Sequence, residues 1–193
     1  MSLFSLSDIP EFTPQLKSKA TSKQIKAAAR LVKVMQTCEN LIPQIEKDTS
    51  IHYVSLTEWS QHELLRHILN KTGAAKVYIA TWSMSAPGAI AMIKLCEDQL
   101  ITELYAILDW RVKVRCPEAH QLAKFNFTKL TLTTCHAKVT VIENENYNIS
   151  IVTSANYTNN PRIESGVITE SKEIADFHKK WIIEVHGNSK PFE

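Results

Sequence analysis

Two apolar runs joined by a short polar segment constrain the fold of this chain more than any other feature of its sequence. The first run covers residues 130–142 and the second covers residues 148–155, and the segment 143–147 between them is polar. Two apolar runs on either side of such a connection are typical of a β-hairpin. We therefore expect two adjacent antiparallel strands in this part of the chain.

The two expected strands each present polar side chains at alternate positions. Because successive side chains of a strand point to opposite faces, alternation predicts one apolar face and one polar face. The polar face would carry Thr134, His136, Lys138 and Thr140 from the first strand and Ser150, Ser154 and Asn156 from the second. A base or nucleophile, a fixed cation and neutral hydrogen-bonding groups could together hold a phosphate. The alternative is an ordinary hairpin with a polar outer face.

Two short motifs lie on these strands, His-Ala-Lys at residues 136–138 and Ser-Ala-Asn at residues 154–156. Together they resemble the signature of the phospholipase D superfamily, which is His-x-Lys, four residues, Asp, and then Gly-Ser-x-Asn. Glu143 stands where the superfamily has Asp, and Thr153 stands where it usually has Gly. The resemblance implies an α/β fold, a phospholipase D-like domain with a mixed β-sheet sandwiched by helices.

A second His-x-Lys, at residues 178–180, lies among apolar residues at helical spacing. It indicates a C-terminal amphipathic helix with solvated lysines. Elsewhere, helical and strand patterns alternate along the chain, which favours a mixed sheet with helices on its faces. The predicted helices include residues 63–69, 89–99, 117–125 and 171–185, and the predicted strands include residues 76–83 and 104–108.

The first fifty residues differ from the rest in charge. Between Phe12 and Cys38 the chain has six basic residues and no acidic one, although the whole chain has a net charge of only +2. On a helix, one stripe would contain Lys23, Lys26, Arg30 and Lys33. This stripe could be a solvated helix face, a contact for nucleic acid phosphates or a membrane-surface attachment. We place a basic N-terminal helical extension at residues 1–50 and the phospholipase D-like catalytic domain at residues 51–188.

A second basic cluster, Arg111, Lys113 and Arg115, follows the strand predicted at 104–108. Its alternating side chains could line the mouth of the site, where Arg111 and Arg115 would bind substrate, or could protect an exposed sheet edge. Thr81, Trp82 and Ser83, at the end of a predicted strand, could border the pocket, although Trp82 could also be a core or rim aromatic. Asp109 and His120 have no partners that would assign them a role.

The sequence has no pattern that predicts a metal site or a cofactor. Its four cysteines are widely scattered without a Cys-x-x-Cys motif, so we expect buried, reduced thiols, with Cys135 in the core. No stretch approaches the ~20 apolar residues of a membrane span, and the N-terminus lacks a charged start followed by an apolar run. We expect a cytoplasmic protein without a membrane span.

The resemblance implies a two-step, metal-free phosphodiester cleavage. In that scheme His136 attacks phosphorus, while Lys138 and Asn156 hold the phosphate oxygens. Ser154 supports the phosphate or the imidazole, and Glu164 hydrogen-bonds the ring of His136 and fixes its tautomer.

Two histidines are needed in this scheme, and the chain has one copy of the paired motif, so we expect a homodimer with a composite site at its axis. The expected substrate is DNA or RNA. The alternatives are a phospholipid hydrolase or transferase, and a non-catalytic nucleic-acid-binding protein that retains the fold.

Overall fold

A single eight-stranded sheet organises the part of the chain that the structure describes. The computed structural model describes residues 30–31, 38, 40, 42, 44–56, 59–159 and 162–188. The strands are β1 (Arg30–Leu31), β2 (Thr49–Leu56), β3 (Ala75–Thr81), β4 (Ile101–Asp109), β5 (Lys129–Thr133), β6 (Val139–Glu143), β7 (Asn148–Thr153) and β8 (Ile163–Glu170). The helices are α1 (Gln61–Thr72), α2 (Ala86–Glu97), α3 (Val112–Arg115), α4 (Pro117–Asn126) and α5 (Lys172–Asn188).

The strand order across the sheet is β1-β2-β8-β7-β6-β3-β4-β5. Strands β3, β4 and β5 run parallel to one another, whereas β6, β7 and β8 alternate in direction. The sheet is therefore mixed, with a parallel half and an antiparallel half that meet where β3 pairs with β6.

Helices cover both faces of this sheet. On one face, Ala175 and Ile182 of α5 pack against Tyr78, Val139 and Val141. On the other face, a larger apolar core joins the sheet to α1, α2 and α4. The predicted α/β fold, a mixed sheet sandwiched by helices, is confirmed.

The local signals at helix ends are realised in the structure. Glu63 accepts hydrogen bonds from the backbone N–H of Ser60 at 2.7 Å and from its hydroxyl at 2.9 Å, which fixes the start of α1. Gly73 follows the helix with a φ of 89°, a left-handed conformation that glycine adopts without strain. These contacts are short-range, which is why the sequence pattern was sufficient to predict them.

The first of the two apolar runs is not one strand. Residues 129–133 form β5 at the edge of the sheet, and residues 139–143 form β6 on the far side of β3 and β4. The intervening residues 134–138 cross the ends of β3 and β4 and form no regular strand. The hairpin is therefore confined to β6 and β7, and the prediction of a continuous strand through His136 is wrong.

The hairpin also has no polar outer face. Thr140 and Ser150, which alternation placed on that face, are each only 1% exposed, because helices cover both sides of the central strands. The hydroxyl groups of Thr140 and Tyr157 share a hydrogen bond of 2.7 Å. Cys135 is buried in the core against α5, as predicted.

The N-terminal extension is described at only a few positions. Arg30 lies in β1, which pairs in parallel with β2, so the prediction of a helix is wrong at this position. Lys23, Lys26 and Lys33 lie outside the described residues, and the division at residue 50 stays a prediction. In the described ranges, no helix is both long and apolar enough to cross a membrane.

Candidate active site

Seven strands have one end at the same edge of the sheet. Strands β2, β3, β4, β5 and β7 end there, and β6 and β8 begin there, as the register of their pairing requires. The backbone N–H of Thr153, at the end of β7, donates to the carbonyl of Lys138 at 3.1 Å. The segments that contain the two sequence motifs are therefore joined directly at this edge.

His136 and Lys138 lie on the segment that crosses the strand ends. His136 is exposed, and its ring centroid is 5.7 Å from that of Trp82. The ammonium group of Lys138 donates to the carbonyl oxygen of His136 at 3.1 Å. Burial lowers the pKa of Lys138 below its usual value, although Cys135 and Glu164 act in the opposite direction. A partly desolvated ammonium is well suited to pair with a phosphate oxygen.

The side chain of Asn156 is fixed by the end of β3. Its Oδ1 accepts hydrogen bonds from the hydroxyl of Thr81 at 3.1 Å and from the backbone N–H of Ser83 at 3.2 Å. Because the carbonyl oxygen is engaged in this way, the Nδ2 amide is the group that can donate to a ligand. Thr81 thus contributes to the site by orienting Asn156. The sequence predicted only that Thr81 could border the pocket.

Backbone contacts hold Asn156 against the loop that follows β3. Tyr157 donates from its N–H to the carbonyl of Ser83 at 3.2 Å and accepts from the N–H of Ser85 at 3.0 Å. A Cβ on Gly88 would lie 2.3 Å from the carbonyl oxygen of Tyr157. Helix α2 can approach this backbone only because residue 88 has no side chain.

Ser154 and Glu164 contact each other across β7 and β8. The hydroxyl of Ser154 donates to Oε2 of Glu164 and accepts from the backbone N–H of Ser165 at 3.0 Å. Within the described residues, the hydrogen bonds of Glu164 do not include one to His136. Glu164 therefore contacts the candidate site through Ser154. The predicted contact of Glu164 with the imidazole of His136 stays a prediction.

Thr153, which replaces the glycine of the superfamily pattern, fits its position. Its φ is not positive, so no glycine is required there. Its hydroxyl donates to the carbonyl of Ser165 at 3.0 Å and accepts from the N–H of Ala155 at 3.1 Å. This departure from the pattern therefore tightens the turn that leads to Asn156.

Glu143, the other departure from the pattern, lies at the opposite end of β6 from the site. Its Oε1 is 2.5 Å from the ammonium of Lys179 on α5. The second His-x-Lys therefore lies on a helix, as predicted, but Lys179 is not a solvated lysine. It forms a partly buried ion pair with the acidic residue of the first motif.

Trp82 is surrounded by cations at the site edge. Its ring centroid lies 5.2 Å from the guanidinium carbon of Arg115, 5.7 Å from that of Arg111 and 6.0 Å from the ammonium of Lys138. Arg111 and Arg115 reach the ring from the turn after β4 and from α3. The strand ends at Asp109 and residues Val112–Arg115 form the short helix α3, so the side chains of this cluster do not alternate across a strand.

Asp109 is a buried carboxylate that fixes this part of the site. It accepts two hydrogen bonds from the guanidinium of Arg111, at 2.5 and 2.9 Å, and one from the backbone N–H of Cys135 at 3.1 Å. The contact with Arg111 lowers the pKa of Asp109 to about 2. The sequence did not assign a role to Asp109. Its position at the end of a buried strand was the feature that could have indicated a site residue.

Among the described residues, His120 lies apart from the residues of this site. His120 is buried on α4, where desolvation lowers its pKa, and it is not among the residues that contact Trp82, His136 or Lys138. In the part of the chain that the structure describes, no three His, Cys, Asp or Glu side chains are grouped to hold a metal ion.

Comparison with known proteins gives structural relatives. No protein-family model matches the sequence, and no curated protein matches it. The structure is similar to NucT from Helicobacter pylori, with a TM-score of 0.54 and 15% identity over 70% of this chain and 95% of NucT. It is also similar to Nuc from Salmonella typhimurium, a phospholipase D family member, with a TM-score of 0.52 and 13% identity over 72% of this chain and 94% of Nuc.

Polyphosphate kinase from Porphyromonas gingivalis is a third similar structure, with a TM-score of 0.50 and 9% identity, over 79% of this chain and 31% of the kinase. At these identities the similarity concerns the fold. The chain has the phospholipase D-like fold, which confirms the fold that the resemblance implied.

Proposed function

We propose that this chain is a phosphodiester hydrolase, a metal-independent endonuclease that acts on DNA or RNA through a phosphohistidine intermediate. The observation that carries the proposal is the meeting of His136, Lys138, Ser154 and Asn156 at one edge of a phospholipase D-like sheet. These side chains provide a nucleophile, a cation and neutral hydrogen-bonding groups, which are the groups that a reacting phosphate requires.

The first step breaks the phosphodiester. The neutral imidazole of His136 attacks phosphorus and forms an N–P bond, and the P–O bond to the leaving group breaks. A protonated second histidine donates its proton to the leaving oxygen. In the second step this histidine, now neutral, takes a proton from water, which attacks phosphorus and releases His136.

Lys138 and Asn156 bind the non-bridging oxygens as negative charge increases on them. Lys138 supplies a fixed positive charge, which is the role that a metal ion has in other phosphodiesterases. Asn156 donates from Nδ2, because Thr81 and Ser83 hold its Oδ1. Ser154 links this group to Glu164, which we expect to orient His136 when substrate is bound.

The second histidine would be His136 of the partner subunit in a homodimer with a composite site on its two-fold axis. The exposure of His136 supports this arrangement, since an imidazole at the surface of one subunit can meet its copy across a two-fold axis. An isologous contact would bring the two imidazoles to one phosphate.

Nucleic acid is favoured over phospholipid by the charge at the site edge. Arg115 and Lys138 lie around Trp82, beside His136, together with Arg111, whose charge is largely neutralised by Asp109. We also propose that the N-terminal residues Lys23, Lys26, Arg30 and Lys33 contribute to phosphate binding. A phospholipid hydrolase or transferase, and a binding protein without catalysis, are the alternatives.

Incubation with three substrates in excess EDTA tests the proposal. Chelator-treated protein is given nucleic acid, phosphatidylcholine vesicles or bis(p-nitrophenyl) phosphate, with the His136→Asn variant as control. We expect the wild type to cleave the nucleic acid and the small diester, and the variant to cleave neither. Cleavage of phosphatidylcholine alone would favour the lipid alternative, and activity that returns only with added Mg²⁺ or Zn²⁺ would contradict the metal-free mechanism.

A further inference from the structure

The three cations around Trp82 differ in whether a carboxylate neutralises them. Arg111 donates two hydrogen bonds to Asp109, whose side chain is fully buried, so this pair has little net charge to offer a substrate. Lys138 is the cation of the catalytic motif. Arg115 forms no ion pair with a carboxylate in the described part of the chain, and its guanidinium group contacts the Trp82 ring.

Arg115 is exposed, yet its guanidinium group is held in place. Contact with an aromatic ring restricts a long side chain that would otherwise be mobile, and leaves its N–H groups free to donate. A guanidinium group held in this way can bind a phosphate through two parallel hydrogen bonds. Arg115 is therefore prepared for an anion that the protein itself does not supply.

The position of Arg115 indicates which anion this is. Its guanidinium and the ammonium of Lys138 contact the same ring, and His136 contacts that ring as well. A second phosphate of the same strand would therefore lie close to Arg115 while the first reacts at His136. Because three cations and an imidazole already contact Trp82, we assign this ring to the support of charged groups rather than to the stacking of a base.

We propose that Arg115, supported by Trp82, forms a second phosphate subsite next to the reacting phosphate, so that the preferred substrate is a strand with at least two adjacent phosphodiesters. This inference rests on the proposed function and deepens it. Of the two arginines that the sequence indicated as substrate-binding, it assigns the direct contact to Arg115 and a structural role to Arg111.

Two small substrates separate this subsite from the catalytic centre. A dinucleoside monophosphate has one phosphodiester, and a trinucleoside diphosphate has two. We expect Arg115→Gln to raise the KM for the two-phosphate substrate about tenfold with little change in kcat, and to raise the KM for the one-phosphate substrate much less. For a longer single strand, we expect the salt dependence of affinity to fall by about 0.7 in log–log slope, the contribution of one phosphate contact.

Lys113→Gln is the matched control, because it removes the same charge from the same short helix at a residue that is not among those around Trp82. The subsite would be overturned if Arg115→Gln raised the KM equally for both substrates. It would also be overturned if Lys113→Gln raised the KM for the two-phosphate substrate as much as Arg115→Gln does.

If the wild type cleaves neither substrate, the proposed hydrolysis fails. The subsite is then decided by binding of a fluorescent single strand to His136→Asn protein with and without Arg115→Gln. Unchanged affinity and salt slope would reject it.

Discussion

Lys179 on helix α5 is ion-paired with Glu143 at the end of strand β6, with 2.5 Å between Nζ and Oε1. Strand β6 begins beside the site and ends at Glu143, so the acidic residue that follows His-x-Lys in the sequence lies at the far edge of the sheet. Its contact joins the hairpin to the helix that covers it. Glu143 therefore stabilises the fold and lies away from the other motif residues.

We predict that Glu143→Gln lowers the free energy of unfolding by about 1 kcal/mol, since the pair is only partly shielded from water. Catalysis should stay within about twofold of wild type, because the substitution lies away from the phosphate site. Urea unfolding and phosphodiester hydrolysis measure the two effects, with the exposed Glu145→Gln as control. A large loss of activity in a stably folded Glu143→Gln protein would place this residue in the mechanism.

Replacement of Lys138 tests the phosphate clamp. Lys138→Met keeps the packing of the stem and removes the charge, so kcat should fall by about two or more orders of magnitude, comparable with the loss of one oxyanion donor. Stability should barely change. Hydrolysis by folded, dimeric Lys138→Met at the wild-type rate would show that the clamp role is wrong.

Asp109→Asn tests the carboxylate behind the site. The amide keeps the shape and can still accept from the N–H of Cys135, but it cannot neutralise Arg111 or accept both guanidinium bonds. We expect a loss of about 2 kcal/mol in stability and a weaker activity, because Arg111 and the segment that carries His136 are less firmly held. Thermal unfolding and kcat/KM are the measurements. If both stay unchanged, Asp109 does not position the site.

A mixed dimer tests the composite centre. A dimer of one wild-type and one His136→Asn chain should be nearly inactive, because either the nucleophile or the acid is missing. Independent sites would instead leave half of the wild-type activity. Chains with different tags allow the mixed dimer to be isolated and assayed. Activity near one half, or a fully active species that sediments as a monomer, would reject the shared site.

We predict that His186 makes the free energy of unfolding depend on pH. Burial lowers its pKa to about 4 from an ordinary value of 6.5, and its Nδ1 shares a 2.7 Å hydrogen bond with the hydroxyl of Thr131. As the pH falls from 6.5 to 4, the unfolded chain binds a proton that the folded chain does not, so stability should fall by up to ~3 kcal/mol. Below pH 4 the stabilisation that comes from keeping His186 neutral in the folded chain is lost.

His186→Gln should flatten the pH dependence between 6.5 and 4 in urea unfolding curves. His62, His120 and His178 also have lowered pKa values because of burial, so part of the slope should remain. His52→Gln, at an exposed position on β2, is the control. An identical slope in His186→Gln and wild type would contradict the assignment.

Helix ends and the hairpin were predictable because their causes are local. Ser60, Glu63 and Gly73 mark the limits of α1 through contacts within a few residues. The pairing of β6 with β7 follows from two apolar runs and a short connection. For the same reason, the sequence alone was enough to predict that the two motifs are neighbours.

The alternation of polar residues was misleading at Thr140 and Ser150. The register pairs Thr140 with Ile151 and Ser150 with Val141, so the two hydroxyl groups lie on opposite faces of the sheet. A period of two within one strand reveals neither the register with the next strand nor what covers a face. In the structure, helices lie on both sides of the central strands, and these hydroxyl groups are buried. Burial on both faces depends on where α2 and α5 pack, which the strand sequence does not encode.

By itself, the sequence determined the α/β class, most helices and strands, and the residue types of a candidate phosphate site on a phospholipase D-like fold. Only the tertiary structure shows that the chain crosses the sheet between β5 and β6. It also shows that Trp82 and Asp109 lie at the candidate site, whereas Glu143 lies at the opposite end of β6. The reason is physical. Helix and turn signals depend on neighbours along the chain, whereas strand order brings together residues that are distant in sequence and share no local pattern.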